Sequence, residues 1–123
     1  MAAVTPVLYT WNFGGGRGQK LRELCRQLQI TLCPVEAGQV HLPLARLTRA
    51  GQAPGPAAMP FREEMLLMAG FREGMLDAFL AGLRESGLAP VPLKAVLTPY
   101  NALWDSVRLH NELIRESQSL PGR

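Results

Sequence analysis

Two stretches of this chain place polar residues where an α/β protein could use them. The first is Gly14–Gly15–Gly16–Arg17–Gly18, followed by Lys20, between an apolar strand-like run and an amphipathic helical run. A glycine-rich strand-to-helix turn can aim backbone N–H groups and the helix dipole at an anion, and Gly16, Arg17 and Lys20 would favour one. The spacing matches neither standard phosphate motif. Gln19, not glycine, precedes Lys20, and Gln19 also stands where a dinucleotide fingerprint needs its third glycine. The stretch therefore reads as a flexible turn, with an anion site as the alternative.

The second stretch is Leu93–Asn101, LKAVLTPYN. Lys94 interrupts an apolar strand, so its ammonium must reach water or an oxygen. Thr98–Pro99 has the form of an N-cap followed by proline at the first helical position. Thr98, Tyr100, Asn101 and Trp104 would then project beyond the strand's carboxyl end, where ligands gather in open sheets. Helix capping accounts for Thr98 and Asn101 equally well. The other reactive residues are scattered. Cys25 and Cys33 have no metal or redox spacing and read as small buried hydrophobes. His41 falls in a loop, and His110 on the apolar side of a helix. No Cys/His cluster or nucleophile–base order is present. Glu63 and Glu64, adjacent on entering a strand, face opposite sides. No cofactor is indicated.

The elements that must position these residues follow from the periodicity. Val4 to Phe13 is a β-branched and aromatic run, strand one. Four glycines among residues 14–18 disfavour regular structure, so the first helix is expected from Gln19, with Leu21, Leu24, Cys25 and Leu28 on its apolar face. Ile30–Val35 is strand two, and Pro34 confines it to an edge. Leu42, Leu44 and Leu47 allow one or two helical turns after Pro43, and the Pro/Gly tract from Gly51 to Ala58 reads as a flexible connector. Glu64–Gly70 is a continuously apolar strand, the pattern of a strand covered on both faces. Phe71–Gly87 is a helix with Met75, Leu76, Phe79, Leu80 and Leu83 as its stripe and Gly87 as its left-handed terminus. Val91–Leu97 is strand four. The last helix is expected from Pro99 to about Glu116, with Leu103, Val107, His110 and Ile114 on one side.

Strand, turn after phenylalanine, amphipathic helix, strand occurs twice, which suggests an internal repeat. The organisation is one α/β domain of two βαβ-like halves, about four strands and three main helices. Residues 1–36 form the first half, 37–62 a loose linker, and 63–118 the second half with the C-terminal helix. At 123 residues, with 47% apolar and 19% charged content, the chain suits one folded domain. A net charge of +3, from eleven Arg and two Lys, makes nucleic-acid binding an unpromising role. No apolar run reaches membrane-spanning length and no secretory leader is recognisable, so a cytoplasmic setting is expected.

The LKAVLTPYN block, with the MLLMAGF strand and LDAFLAGLRESGL helix before it, resembles a bacterial family of unknown function, domain of unknown function 3783. The resemblance covers about Met65 to Glu116. Tyr100 stands where a second threonine is common in that family. The family brings no activity with it. With no complete catalytic constellation, the expected role is a non-catalytic binding or interaction module, as a monomer, a small homo-oligomer or with a protein partner. The alternative is a protein binding an anionic metabolite or nucleotide at the end of strand four.

Overall fold

The computed structural model describes residues 5–49 and 58–118, so the proposed connector lies, apart from Ala58, outside the described residues. The elements run β1 (Val7–Trp11), α1 (Gly15–Leu28), β2 (Thr31–Pro34), β3 (Met65–Ala69), α2 (Met75–Glu85), β4 (Leu93–Val96) and α3 (Ser106–Gln118). The strands form one mixed sheet in the order β2-β1-β3-β4. β1 pairs with β2 and β3 with β4 in parallel, and β1 and β3 meet antiparallel at the centre. The two β–α–β units therefore point in opposite directions, and the parallel strand ends of each unit lie at opposite ends of the sheet. Pro34, which cannot donate to a ladder, ends an edge strand as its chemistry requires.

Each central strand serves two cores because successive side chains alternate faces. Leu8, Leu66 and Met68 meet Leu21, Leu24 and Cys25 of α1 and Phe79 and Leu83 of α2. Tyr9, Trp11, Met65 and Leu67 face the other way, onto Leu44, Leu47, Phe61 and Leu109 of α3. The architecture is thus an α/β domain in three layers. The described part of residues 37–62 contributes to the second core: short 3-10 helices at Ala37–Gln39 and Leu44–Arg49 bury Val40, Leu44 and Leu47.

The strands are each shorter than the sequence suggests, and all three helices start later or earlier than expected. Helix α1 begins at Gly15 rather than Gln19, because Gly18 N–H donates to the Gly14 carbonyl (3.1 Å) and closes a turn inside the glycine run. Helix α2 begins at Met75, after Gly74 in a left-handed conformation (φ 86°), rather than at Phe71. Helix α3 begins at Ser106. Its first turn is capped by Asp105, whose Oδ1 accepts from Arg108 N–H at 2.9 Å, so Thr98–Pro99 is not its start. The buried face of α3 consequently centres on Ser106 and Leu109, while Leu103 and Val107 are exposed.

Where α1 and α2 touch, Gly82 makes room for Leu24: a Cβ at Gly82 would lie 2.4 Å from Leu24 Cδ1. The two positions should therefore be energetically coupled. Leu24→Ala is expected to cost about 2–4 kcal/mol by opening a cavity. Gly82→Ala in that background should recover about 1 kcal/mol, by filling part of it and by its better helix propensity. Gly82→Ala alone, crowded by Leu24, should show no such gain. Urea unfolding of the three variants measures the coupling directly.

Candidate functional site

At the β1–α1 junction the backbone leaves the strand through Asn12, which adopts a left-handed conformation (φ 67°). Its amide holds that turn against the approach to β3, Nδ2 donating to the Phe61 carbonyl at 3.0 Å and to that of Glu63 at 2.9 Å. Gly14 caps α1 from an extended conformation and Gly15 is left-handed (φ 56°). A Cβ at Gly14, Gly15 or Gly16 would meet open space. Gly18 differs, because a Cβ there would lie 2.9 Å from the Phe13 carbonyl oxygen.

The cations expected to serve this junction are engaged elsewhere. Arg17 grips Glu64 with two hydrogen bonds, Nε to Oε2 at 2.7 Å and Nη2 to Oε1 at 2.8 Å, and reaches the Leu88 carbonyl at 2.9 Å. It is a strut joining α1 to the start of β3 and to the loop after α2. Lys20 lines a different groove, between α1 and α2, with Glu23, Gly82 and Glu85. Gly16, Arg17 and Lys20 therefore do not converge.

A cleft of about 520 Å³ does open at the carboxyl ends of β1 and β2. Thr10, Asn12, Gly14, Val35, Phe61 and Arg62 are among the residues that line it. Thr10 is 4% exposed, and its hydroxyl makes no hydrogen bond among the described residues. Among the described residues the fully buried side-chain polar atoms without a partner are Trp11 Nε1 and Ser106 Oγ, so the Thr10 hydroxyl keeps some contact with solvent. Arg62 is exposed and pairs with no carboxylate among the described residues. Sequence reading passed over both residues. The available signal was a threonine alternating with Leu8 on the apolar face of β1.

The LKAVLTPYN residues fall into two groups. Thr98 and Asn101 are bonded to one another: Thr98 N–H donates to Asn101 Oδ1 (2.9 Å), and Asn101 N–H donates to Thr98 Oγ1 (3.3 Å). Asn101 Nδ2 also donates to the Val96 carbonyl at 3.1 Å. Asn101 is buried, and its polar atoms hold the turn together. Lys94 reaches neither that turn nor a carboxylate, because its Nζ donates to the Val91 carbonyl at 2.8 Å, beside Leu80 and Arg84 of α2. Tyr100 lies outside, in an edge-to-face contact (centroids 5.3 Å apart) with Trp104, which is half-buried against the second core and has the Arg108 guanidinium 4.6 Å from its ring centre. Tyr100 and Leu103 are 80% and 83% exposed. The end of strand four is a closed polar turn bearing an apolar, aromatic surface.

The remaining titratable groups are tied into the fold. Burial pushes the Cys25 thiol up to about 11 and raises that of Cys33, so neither is an activated thiolate. His110 stacks on Phe61 (centroids 4.1 Å, planes 13° apart) and lies 2.8 Å through Nε2 from Glu63 Oε1, while Glu64 turns to Arg17 on the opposite face. The His110 hydrogen bond, with help from backbone N–H groups, holds the Glu63 carboxyl below its ordinary range. Among the described residues no group of three or more His, Cys, Asp or Glu could hold a metal ion, and no helix is long and apolar enough to cross a membrane.

Two outcomes follow. Asn101→Ala is expected to cost about 2 kcal/mol in a chemical-denaturation measurement, while Tyr100→Ala stays within about 0.5 kcal/mol of the parent. For Glu63, a depressed folded-state value means its contribution is complete above the unfolded carboxylate value of about 4.3 and disappears as pH falls through the lower folded value. Replacing His110 by Ala should therefore flatten the acid limb of stability against pH, which denaturant midpoints across that range would show.

No curated protein and no solved structure matches the chain. Residues 64–120 match the model of a family described as a domain of unknown function, DUF3783. The match takes in β3, α2, β4 and the Thr98–Asn101 turn, and continues through α3. Residues 64–120, which hold the second β–α–β unit and its C-terminal helix, are thus the part of the chain that is similar to the DUF3783 family.

Proposed function

We propose that this chain is a non-catalytic interaction module of the cytoplasm that self-associates through the surface beside the end of β4. The observation that carries the reading is the distribution of exposed large hydrophobic residues. Among the described residues these are Val96, Tyr100, Leu103 and Val107, all on one short segment. Scattered single hydrophobic residues are ordinary on a surface, whereas a contiguous cluster marks a contact site. Burying Tyr100 and Leu103 would contribute roughly 2 kcal/mol each.

A second copy fits as the occupant. An isologous contact brings a patch onto itself, so apolar residues meet apolar residues and fringe charges must be of both signs. This fringe has Arg108 and Arg115 beside Glu112 and Asp105. The patch also adjoins β4, an edge strand, and unpaired strand edges are commonly covered by association. The polar residues around it (Thr98, Asn101 and Lys94) are committed to internal hydrogen bonds. That supports docking over chemistry at this end of the sheet.

Sedimentation velocity or light scattering over a concentration series tests the reading. The parent should show a concentration-dependent dimer, and Leu103→Glu and Tyr100→Glu should be monomeric with an unchanged circular dichroism spectrum. A parent that stays monomeric throughout, or glutamate variants that dimerise as well as it does, would contradict self-association. Turnover of phosphoesters, nucleotides or thiols, lost on single substitutions, would contradict a non-catalytic role.

A further inference from the structure

The cleft at the carboxyl ends of β1 and β2 lies at the opposite end of the sheet from the Tyr100 surface and is independent of it. Three features of different origin line it or border it, Gly14 being the residue through which the start of α1 reaches the cleft. The first is the amino end of α1, a fourteen-residue helix whose leading N–H groups have no intrahelical acceptor. Its glycines leave the approach to that backbone open, with no atom within 4 Å of a Cβ built at Gly14, Gly15 or Gly16. The second is the unpartnered Thr10 hydroxyl in the cleft wall, in a residue 4% exposed. The third is the Arg62 guanidinium at the rim.

Thr10 is the most informative of the three because the fold supplies its own comparison. The β1–β3 register is symmetric about the Tyr9–Leu67 pair: Leu8 faces Met68, and Thr10 faces Leu66. Exchanging the strands maps Leu8 onto Leu66 and Thr10 onto Met68. At the equivalent point of the second unit the residue is thus an apolar methionine, 3% exposed and packed in the core. Packing alone is satisfied there without a hydroxyl. In the first unit the residue there carries a hydroxyl and lines a cleft.

Hydroxyl, helix amides and guanidinium are all donors to an oxyanion, and together they suit a tetrahedral one. A cleft of about 520 Å³ is in the range of small-molecule sites and far larger than an inorganic anion needs. Its other walls are apolar or aromatic, with Phe13, Val35, Met59 and Phe61. We propose that this cleft binds a phosphate monoester carrying a flat apolar body. The phosphate would take hydrogen bonds from Thr10 Oγ1, the leading amides of α1 and Arg62, and the ring would lie against Phe61 and Val35.

Calorimetric titration of the whole chain with phenyl phosphate, with amide NMR shifts read in parallel, tests the proposal. Saturable one-to-one binding is expected, centred on the amides of Gly15, Gly16 and Arg17, and tighter than binding of either inorganic phosphate or phenol. Thr10→Val keeps the shape and removes the hydroxyl. It should weaken phenyl phosphate by about tenfold or more while leaving the melting temperature unchanged, since the hydroxyl makes no hydrogen bond within the described residues that the fold would lose. Thr10→Ser should retain binding, and Arg62→Gln should weaken it by about tenfold. Adenosine monophosphate in place of phenyl phosphate separates a nucleotide ligand from another phosphorylated aromatic compound. No saturable binding of either phosphate ester, equal affinity of Thr10→Val and parent, or phenol binding as tightly as phenyl phosphate would each overturn the assignment.

Discussion

The antiparallel pairing of β1 with β3 organises everything else in this protein. Its register sets Leu8 beside Met68 and Thr10 beside Leu66 on one face, and Tyr9 beside Leu67 with Trp11 beside Met65 on the other. A slip of one residue would turn each strand's side chains to the opposite face and empty both cores at once. Each strand also carries its own parallel partner outward, β2 on one side and β4 on the other. One central pair thus joins two β–α–β units into a single sheet with helices α1 and α2 together on one face.

That arrangement also determines which polar residues are free. Arg17, Glu64 and the Leu88 carbonyl come from three separate places in the chain, and the antiparallel join brings them together. Glu63, one residue before Glu64, turns to the other face and meets His110 of α3. The pair of acidic residues at the start of β3 thereby fastens both outer layers to the sheet. Surface-accessible ion pairs of this kind contribute modestly to stability. Their larger consequence is that Arg17 is withdrawn from the glycine-rich junction.

The two parallel ends of the sheet have consequently diverged in character. At the end of β1 and β2 an open cleft is lined by Thr10 and Arg62, with the Asn12 amide bonded to the Phe61 and Glu63 carbonyls. At the end of β3 and β4, Thr98, Asn101 and Val96 close on themselves and the exposed surface is aromatic and aliphatic. The thiols of Cys25 and Cys33, both raised by burial, belong to the packed interior rather than to either end.

The local code alone determined most of the elements. Alternation and apolar runs marked all four strands, the 3.6-residue period marked the core faces of α1 and α2, Pro34 marked an edge, and Gly87 at φ 81° ended α2 as expected. The LKAVLTPYN block marked the resemblance that the family model matches over residues 64–120. Local pattern misplaced the helix starts, because what begins α1 is a hydrogen bond from Gly18 to Gly14 and what begins α3 is Asp105, later than Thr98–Pro99 suggested. Tertiary structure alone decided that the two units run in opposite directions, since hydrophobic periodicity carries no information on strand direction. It also decided the fate of each polar residue singled out in advance. A side chain's availability depends on which distant oxygen it meets, and Arg17, Lys94 and Asn101 each met one across a turn or a layer. Thr10 met none, which no local pattern around it could register.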